Sequence, residues 1–390
     1  MLSESDQQKA DFERHRAEPD VSVDDYLRRR QIELGRSLEG RRIVYLDMWV
    51  WNRISDHILK GTNDPSMAAL HRRLLAEAAA GRVVCPVSES IFLELMKQSD
   101  PRTRMAAAEV IDALGGGACL MAPDTRINTE VAHWVYESAT TKSLVPLDHL
   151  VWTVVPYVLG AMHPVDNRFP AAEQRVIQKA FIDRQWRTRL VDMVQTLDQP
   201  KWKFDAMEGI AQRLNDGNRN HLAELTSFRK VYADEATGGA DLFAPMARRI
   251  IADMYTKETG QPPPEASDGT QQTERTLRAL MAKSLIDGGS RHVLRSLHIQ
   301  AACHAAVRWN RGQKLSANTL FDFHHATAAL AYCDAFLCDR PMAAFFTADL
   351  IILDQEMGCF VASTAEALMA WLDERLPSVE SVASSEPPVS

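Results

Sequence analysis

The order of apolar runs and helical stretches between residues 42 and 122 constrains this chain more than any other feature. Ile43-Val44-Tyr45-Leu46 is a short apolar run that ends at Asp47. Val83 to Val87 is a second such run, and Ala118 to Ala122 a third. Helical stretches fill the gaps. One runs from Trp49 to Leu59. Another runs from Met67 to about Ala80, with Leu70, Leu74 and Leu75 on one face and Gly81 as its natural stop. Ser88 caps a helix through Glu94, and a further helix from Pro101 to Leu114 ends at Gly115-Gly116-Gly117. Strands alternating with helices in this way predict a parallel sheet.

The rest of the chain reads differently. Residues 1–40 form a charged helical extension, with N-caps for a helix between Asp20 and Asp25. From 125 to 315 helical periodicity dominates, as in Val176, Ile177, Ala180, Phe181 and then Leu190, Val191, Val194, Leu197. This predicts a large all-helical insertion. Leu150 to Met162, which contains Pro156, is too short to span a bilayer and reads as a buried helix. Gly260 to Gln272 is rich in Pro, Gly, Ser and Gln and reads as an exposed or disordered loop. The strand pattern returns with Ala335 to Cys338 and Cys359 to Ala362. The expected organisation is therefore 1–40, a first core segment 41–124, the insertion 125–315, a second core segment 316–376, and a disordered tail 377–390.

Charge narrows the partners. A net charge of −8 over 390 residues argues against a strongly basic nucleic-acid binder, although a local basic groove is enough to hold RNA. The six cysteines form no C-x-x-C pair, so they read as reduced thiols in a cytoplasmic protein. The polar start of the chain has no signal-peptide core, and no membrane partner is expected.

Four acids stand out by position. Asp47 ends the first apolar run. Glu94 sits among Ile91, Phe92, Leu93, Leu95 and Met96, in a helix that looks buried, where a carboxylate needs a partner. Asp322 opens a small-residue helix, and Asp339 follows Phe336-Leu337-Cys338. Acids meeting at the C-terminal edge of a parallel sheet would hold a hard divalent cation such as Mg²⁺ or Mn²⁺. Each also has a structural reading: Asp47 and Asp322 as helix caps, Asp339 as a turn former. Asp334 is an additional candidate, with a structural role favoured because it precedes its strand. Glu89 suits the first turn of a helix without further explanation. His324 and His325 read as packed helix histidines. The basic, aromatic stretch Arg308, Trp309, Arg311, Lys314 suits single-stranded nucleic acid, and Arg184, Trp186, Arg187 and Arg189 form a second such cluster.

In these residues the chain resembles the PIN-domain ribonucleases. Ile43 to Asp47 resembles the family's opening strand and acid. Glu94-Leu95 resembles its Glu-Leu pair in the helix after strand two. Asp322 with Ala326-Thr327-Ala328 resembles its third motif, and Phe336 to Arg340 its fourth. The match covers about 43–122 and 318–373, with Trp49 standing where a small polar residue is common and Cys338 where a hydroxyl is usual. The resemblance, with the strand order, implies a three-layer α/β/α fold with a mainly parallel sheet of about five strands. It also implies a metal-dependent endoribonuclease, with Asp47, Glu94, Asp322 and Asp339 as both metal ligands and catalytic residues. RNA is then the substrate, and the insertion forms a wall of its channel or docks a protein partner or second copy. Two alternatives remain open on sequence: a PIN-like scaffold that binds without cutting, and a metal-independent HEPN-like site built on Arg291 and His298.

Overall fold

A computed structural model describes residues 3–61, 63–140, 143–197, 205–263 and 269–376. Six strands occur among them: β1 (Arg42–Leu46), β2 (Val83–Val84), β3 (Ala118–Leu120), β4 (Trp152–Val154), β5 (Ala335–Leu337) and β6 (Phe360–Ala362). Four of these form one parallel sheet in the order β2-β1-β5-β6. Strand β1 is central because Val44, Tyr45 and Leu46 are fully buried apolar residues with a neighbour on either side. The chain leaves the sheet after β3 and returns to pair β5 directly with β1, so two sequence-distant segments make one core.

Strands β3 and β4 form an antiparallel ribbon. A single parallel bridge between Val87 and Cys119 joins it to the main sheet. The expected sheet of about five strands is thus four parallel strands continued by a ribbon. Strand β4 also corrects the all-helical reading of 125–315. Leu150 to Met162 is not a helix: Trp152–Val154 is a strand between two short 3-10 turns, Leu147–His149 and Val155–Tyr157. Its residues Val151, Thr153, Val154 and Val155 are β-branched, Pro156 cannot continue a helix, and β3 offers a free edge. Both faces of β4 are buried, which removed the alternation that marks a strand in sequence. Leu159 and Met162 are the exposed apolar remainder of that run.

The loop read over 260–272 is shortened, because the helix Gly269–Ile286 begins inside it, and 264–268 lie outside the described residues. The tail 377–390 also lies outside them. All six cysteines are buried free thiols. Among the described residues no helix is long and apolar enough to cross a membrane.

The extension is two helices, Glu4–Ala17 and Val23–Ser37, docked on the helix Ala171–Arg187. Asp183 is the anchor. It accepts from Tyr26 Oη at 2.5 Å and from His15 Nε2 at 2.6 Å, and pairs with Arg14. Gly35 lets the second helix touch the turn at His149, where a Cβ would stand 2.5 Å from the His149 carbonyl oxygen.

A second buried polar knot holds the helix Ala317–Tyr332 against the insertion. Arg126 donates to Met121 O, Ser296 Oγ and Thr327 Oγ1. Glu130 accepts from Ser296 and, at 2.5 Å, from Tyr332 Oη. Buried charges are tolerated only when bonded in this way. The result fixes the helix that carries Asp322.

Candidate metal centre

Strand β1 ends at Leu46, and the next residue, Asp47, donates its backbone N–H to Leu337 O at 3.0 Å across to β5. The same residue caps the helix Met48–Lys60, with Oδ1 accepting from Met48 N at 2.7 Å. Strand β5 ends two residues before Asp339, which caps the helix Arg340–Phe346 through Met342 N at 2.8 Å. Each acid spends one hydrogen bond on its helix and leaves oxygen lone pairs facing the sheet's C-terminal edge. Capping and a site role are therefore compatible. Ser88 caps Glu89–Lys97, placing Glu94 in the second turn. Asp322 is not a cap: Ser316 caps Ala317–Tyr332, and Asp322 lies inside it. Asp322 and His325 are three residues apart and share a helix face.

These elements bring together a carboxylate oxygen of Asp47, one of Glu94, and a ring nitrogen of His325, all within 4.8 Å of one another. His325 Nε2 is 3.3 Å from Glu94 and 3.8 Å from Asp47. Its other nitrogen, Nδ1, lies 2.8 Å from Tyr45 Oη, which in turn lies 2.6 Å from Ser88 Oγ. Asp47 and His325 are buried, Glu94 is partly open, and Asp339 is exposed at the rim.

Electrostatics place the remaining acids in the same cluster. Burial raises Asp322 to about 7, with the charges of Asp47, Asp339 and Glu94 adding and His325 opposing. Burial raises Asp47 to about 6, with Glu94 and Asp339 adding, while His325 and the Met48 N–H oppose. Burial works against a charge on His325. The Glu94 hydrogen bond and the charges of Asp47, Glu94 and Asp322 outweigh it and raise the imidazole above its ordinary value. One imidazole faces four carboxylates, so the cluster has room for further positive charge. The donor chemistry fits a divalent cation.

Asp334 is corrected from additional site acid to the structural role that its position already favoured. It precedes β5, so it lies at the opposite end of the sheet from Asp47. Its Oδ2 accepts from Ile43 N at 2.7 Å and its Oδ1 from Arg42 at 3.1 Å. It clamps the register of β1 against β5.

The basic stretch divides. Arg308 is corrected too: it is largely buried between Glu235 at 3.1 Å and Glu224 at 3.7 Å, so its charge is already used. Trp309 packs partly against the core, whereas Arg311 and Lys314 are exposed. The helix Asp205–Asn220 of the insertion reaches this point, with Asn215 bonding both the N–H and the carbonyl of Leu315 at 2.9 and 2.8 Å. In the second cluster, Arg187 pairs with Asp11, Arg189 pairs with Asp192, and Trp186 packs under Arg30. Two of these contacts stitch the extension down. Arg291 and His298 meet on Glu356 at 2.7 and 2.6 Å, and His298 Nδ1 lies 2.8 Å from Tyr232 Oη. Both nitrogens of that buried ring are engaged.

The residue that sequence reasoning undervalued is His325. Reading it as a packed helix histidine was right about burial and missed where Nε2 points. The signal available was the Asp322-x-x-His325 spacing. His324, by contrast, lies near Phe321 and is lowered to about 4, chiefly by burial.

No family model, no curated protein and no solved structure matches this chain.

Proposed function

We propose that this chain is a metal-dependent endoribonuclease with a PIN-like, three-layer α/β/α core. One observation carries the reading: Asp47, Glu94 and His325 converge within 4.8 Å at the C-terminal edge of a parallel sheet. Asp322 and Asp339 belong to the same electrostatic cluster. Open parallel sheets take their ligands at that edge.

Asp47 and Glu94 would hold Mg²⁺ or Mn²⁺, with Asp322 and Asp339 around it. A cation bound there neutralises charge developing on the scissile phosphate and acidifies an attacking water. The protein's own groups do the rest. The Met48 N–H fixes the Asp47 carboxylate. Asp322, three residues before His325 on the same helix face, would accept the proton of the attacking water. Exposed Arg311 and Lys314 meet the phosphates of a single strand, offsetting repulsion from a protein of charge −8.

The test is cleavage of labelled single-stranded RNA by purified protein with Mg²⁺ or Mn²⁺. EDTA and Asp47→Asn should each abolish it. Absence of cleavage of any nucleic acid sinks the reading. A second reading, a PIN-like scaffold that binds without cutting, draws on His325, which already supplies the acids with a cationic partner. RNA binding without cleavage in any metal would favour it.

A further inference from the structure

We propose that His325 Nε2 is itself a metal ligand, so that the centre takes a first-row transition-metal dication in preference to Mg²⁺. The inference rests on the metal-dependent reading above and adds the identity of the donor set.

The first support is spacing. Two donors each about 2.1 Å from one cation stand about 3.0–3.6 Å apart at tetrahedral to octahedral and trigonal angles. His325 Nε2 stands 3.3 Å from Glu94 Oε2 and 3.8 Å from Asp47 Oδ1. The His325–Glu94 pair is therefore already at ligand spacing, and the Asp47 oxygen stands just beyond it, with all three donors within 4.8 Å of one another.

The second support is independent of the acids. A ligating histidine needs its other nitrogen held, which fixes the ring plane and the tautomer. His325 Nδ1 is held by Tyr45 Oη at 2.8 Å, from the middle of β1. Tyr45 Oη then lies 2.6 Å from Ser88 Oγ, and that oxygen also accepts from Ile91 N as the helix cap. The chain has a consistent direction: Nδ1–H donates to Tyr45, Tyr45 donates to Ser88, and Ser88 accepts from both sides. In that direction Nε2 is the nitrogen left facing Asp47 and Glu94, and it binds a cation once the proton it shares with Glu94 leaves. With its side chain only 2% exposed, His325 offers that nitrogen no bulk water.

The third support is donor chemistry. Two carboxylate oxygens and one imidazole nitrogen form a mixed set. Mg²⁺ favours oxygen and retains its waters, whereas imidazole favours later first-row dications. Asp339, exposed at the rim, stays outside this inner set.

The experiment uses the full chain with Mn²⁺ alone as the probe. Electron spin-echo modulation of the bound Mn²⁺ should show coupling to a directly bound ¹⁴N. The coupling should vanish in His325→Gln, with Mn²⁺ affinity at least ~10-fold weaker and Mg²⁺ affinity changed far less. Tyr45→Phe should keep the coupling and weaken Mn²⁺ binding by roughly 10–100-fold, because the ring loses its support. The wild-type spectrum stands even if a variant fails to fold. Bound Mn²⁺ without ¹⁴N coupling overturns the proposal and leaves the nuclease reading intact. Coupling without RNA cleavage does the reverse. No Mn²⁺ binding overturns both.

Discussion

His325 Nε2 lies 3.3 Å from Glu94 Oε2, although the two residues stand 231 positions apart. The contact joins the helix after β2 to the helix before β5. Both helices are held from behind, by the Ser88 cap on one side and by the Arg126–Thr327 contact on the other. The acids and the imidazole are therefore positioned by the fold and not by each other, which is what a preformed site requires.

Metal-free stability should fall as pH rises. Asp322 titrates at about 7 in the fold against an ordinary 3.8. Between those values the native state binds more protons than the unfolded chain, so rising pH destabilises it. Asp322→Asn removes that cost. Without metal at about pH 8, the variant should be more stable by on the order of 1–3 kcal/mol, a figure discounted for partial solvation. At about pH 4 the two proteins should nearly coincide. Thermal melts at both pH values check this, and a lower melting temperature for the variant at the higher pH contradicts it.

Asp334→Ala should weaken the fold and spare the chemistry. It removes the hydrogen bond to Ile43 N and the Arg42 ion pair. A loss of about 1–2 kcal/mol is expected, with cleavage per folded molecule unchanged. Denaturant titration beside an RNA cleavage assay measures both. Full stability with lost cleavage would return Asp334 to the site.

Asp183→Ala should release the N-terminal extension. Burial works against the Asp183 charge, but His15, Tyr26 and Arg14 outweigh it and hold its carboxyl below the ordinary value. Its contribution is thus present above about pH 3.8 and is lost as pH falls through the lower folded value. Removing a buried partner of this kind costs about 3 kcal/mol. Amide exchange should rise first in Glu4–Ala17. Protection unchanged along that helix would show that the extension is held elsewhere.

Arg308 and Arg311 should separate cleanly. Arg308→Ala leaves Glu235 without its partner and should lower stability by about 1–3 kcal/mol. Arg311→Glu with Lys314→Glu should leave stability within about 0.5 kcal/mol. The double variant should weaken RNA binding and flatten its salt dependence. Binding that is indifferent to both exposed charges rules this stretch out as a substrate contact.

His298→Ala should reduce stability and leave cleavage sensitive to EDTA, because His298 is bonded to Glu356 and Tyr232. Cleavage that persists in EDTA and disappears in this variant would transfer the activity to Arg291 and His298.

The acids were legible because their signals are local. Asp47 and Asp339 each follow a short apolar strand and cap the next helix, a pattern written within ten residues. The parallel sheet was legible for the same reason, through the alternation of short runs and helical periods. Strand β4 was not, because burial on both faces erased its alternation and only pairing with β3 makes it a strand.

What the sequence by itself determined is most of the elements and the acids Asp47 and Asp339 at the ends of two strands, since apolar period, caps and turn residues act over a few positions. Only the tertiary structure decided which groups meet. It turned Asp334 to the far end of the sheet, closed Arg308 between two glutamates, and set His325 on Tyr45 with Nε2 toward Asp47 and Glu94. Those outcomes depend on strand register, on helix rotation and on which charge finds its partner first. They are long-range quantities that no local pattern carries, because a one-residue slip or a turn of a helix leaves the local pattern unchanged while moving every side chain.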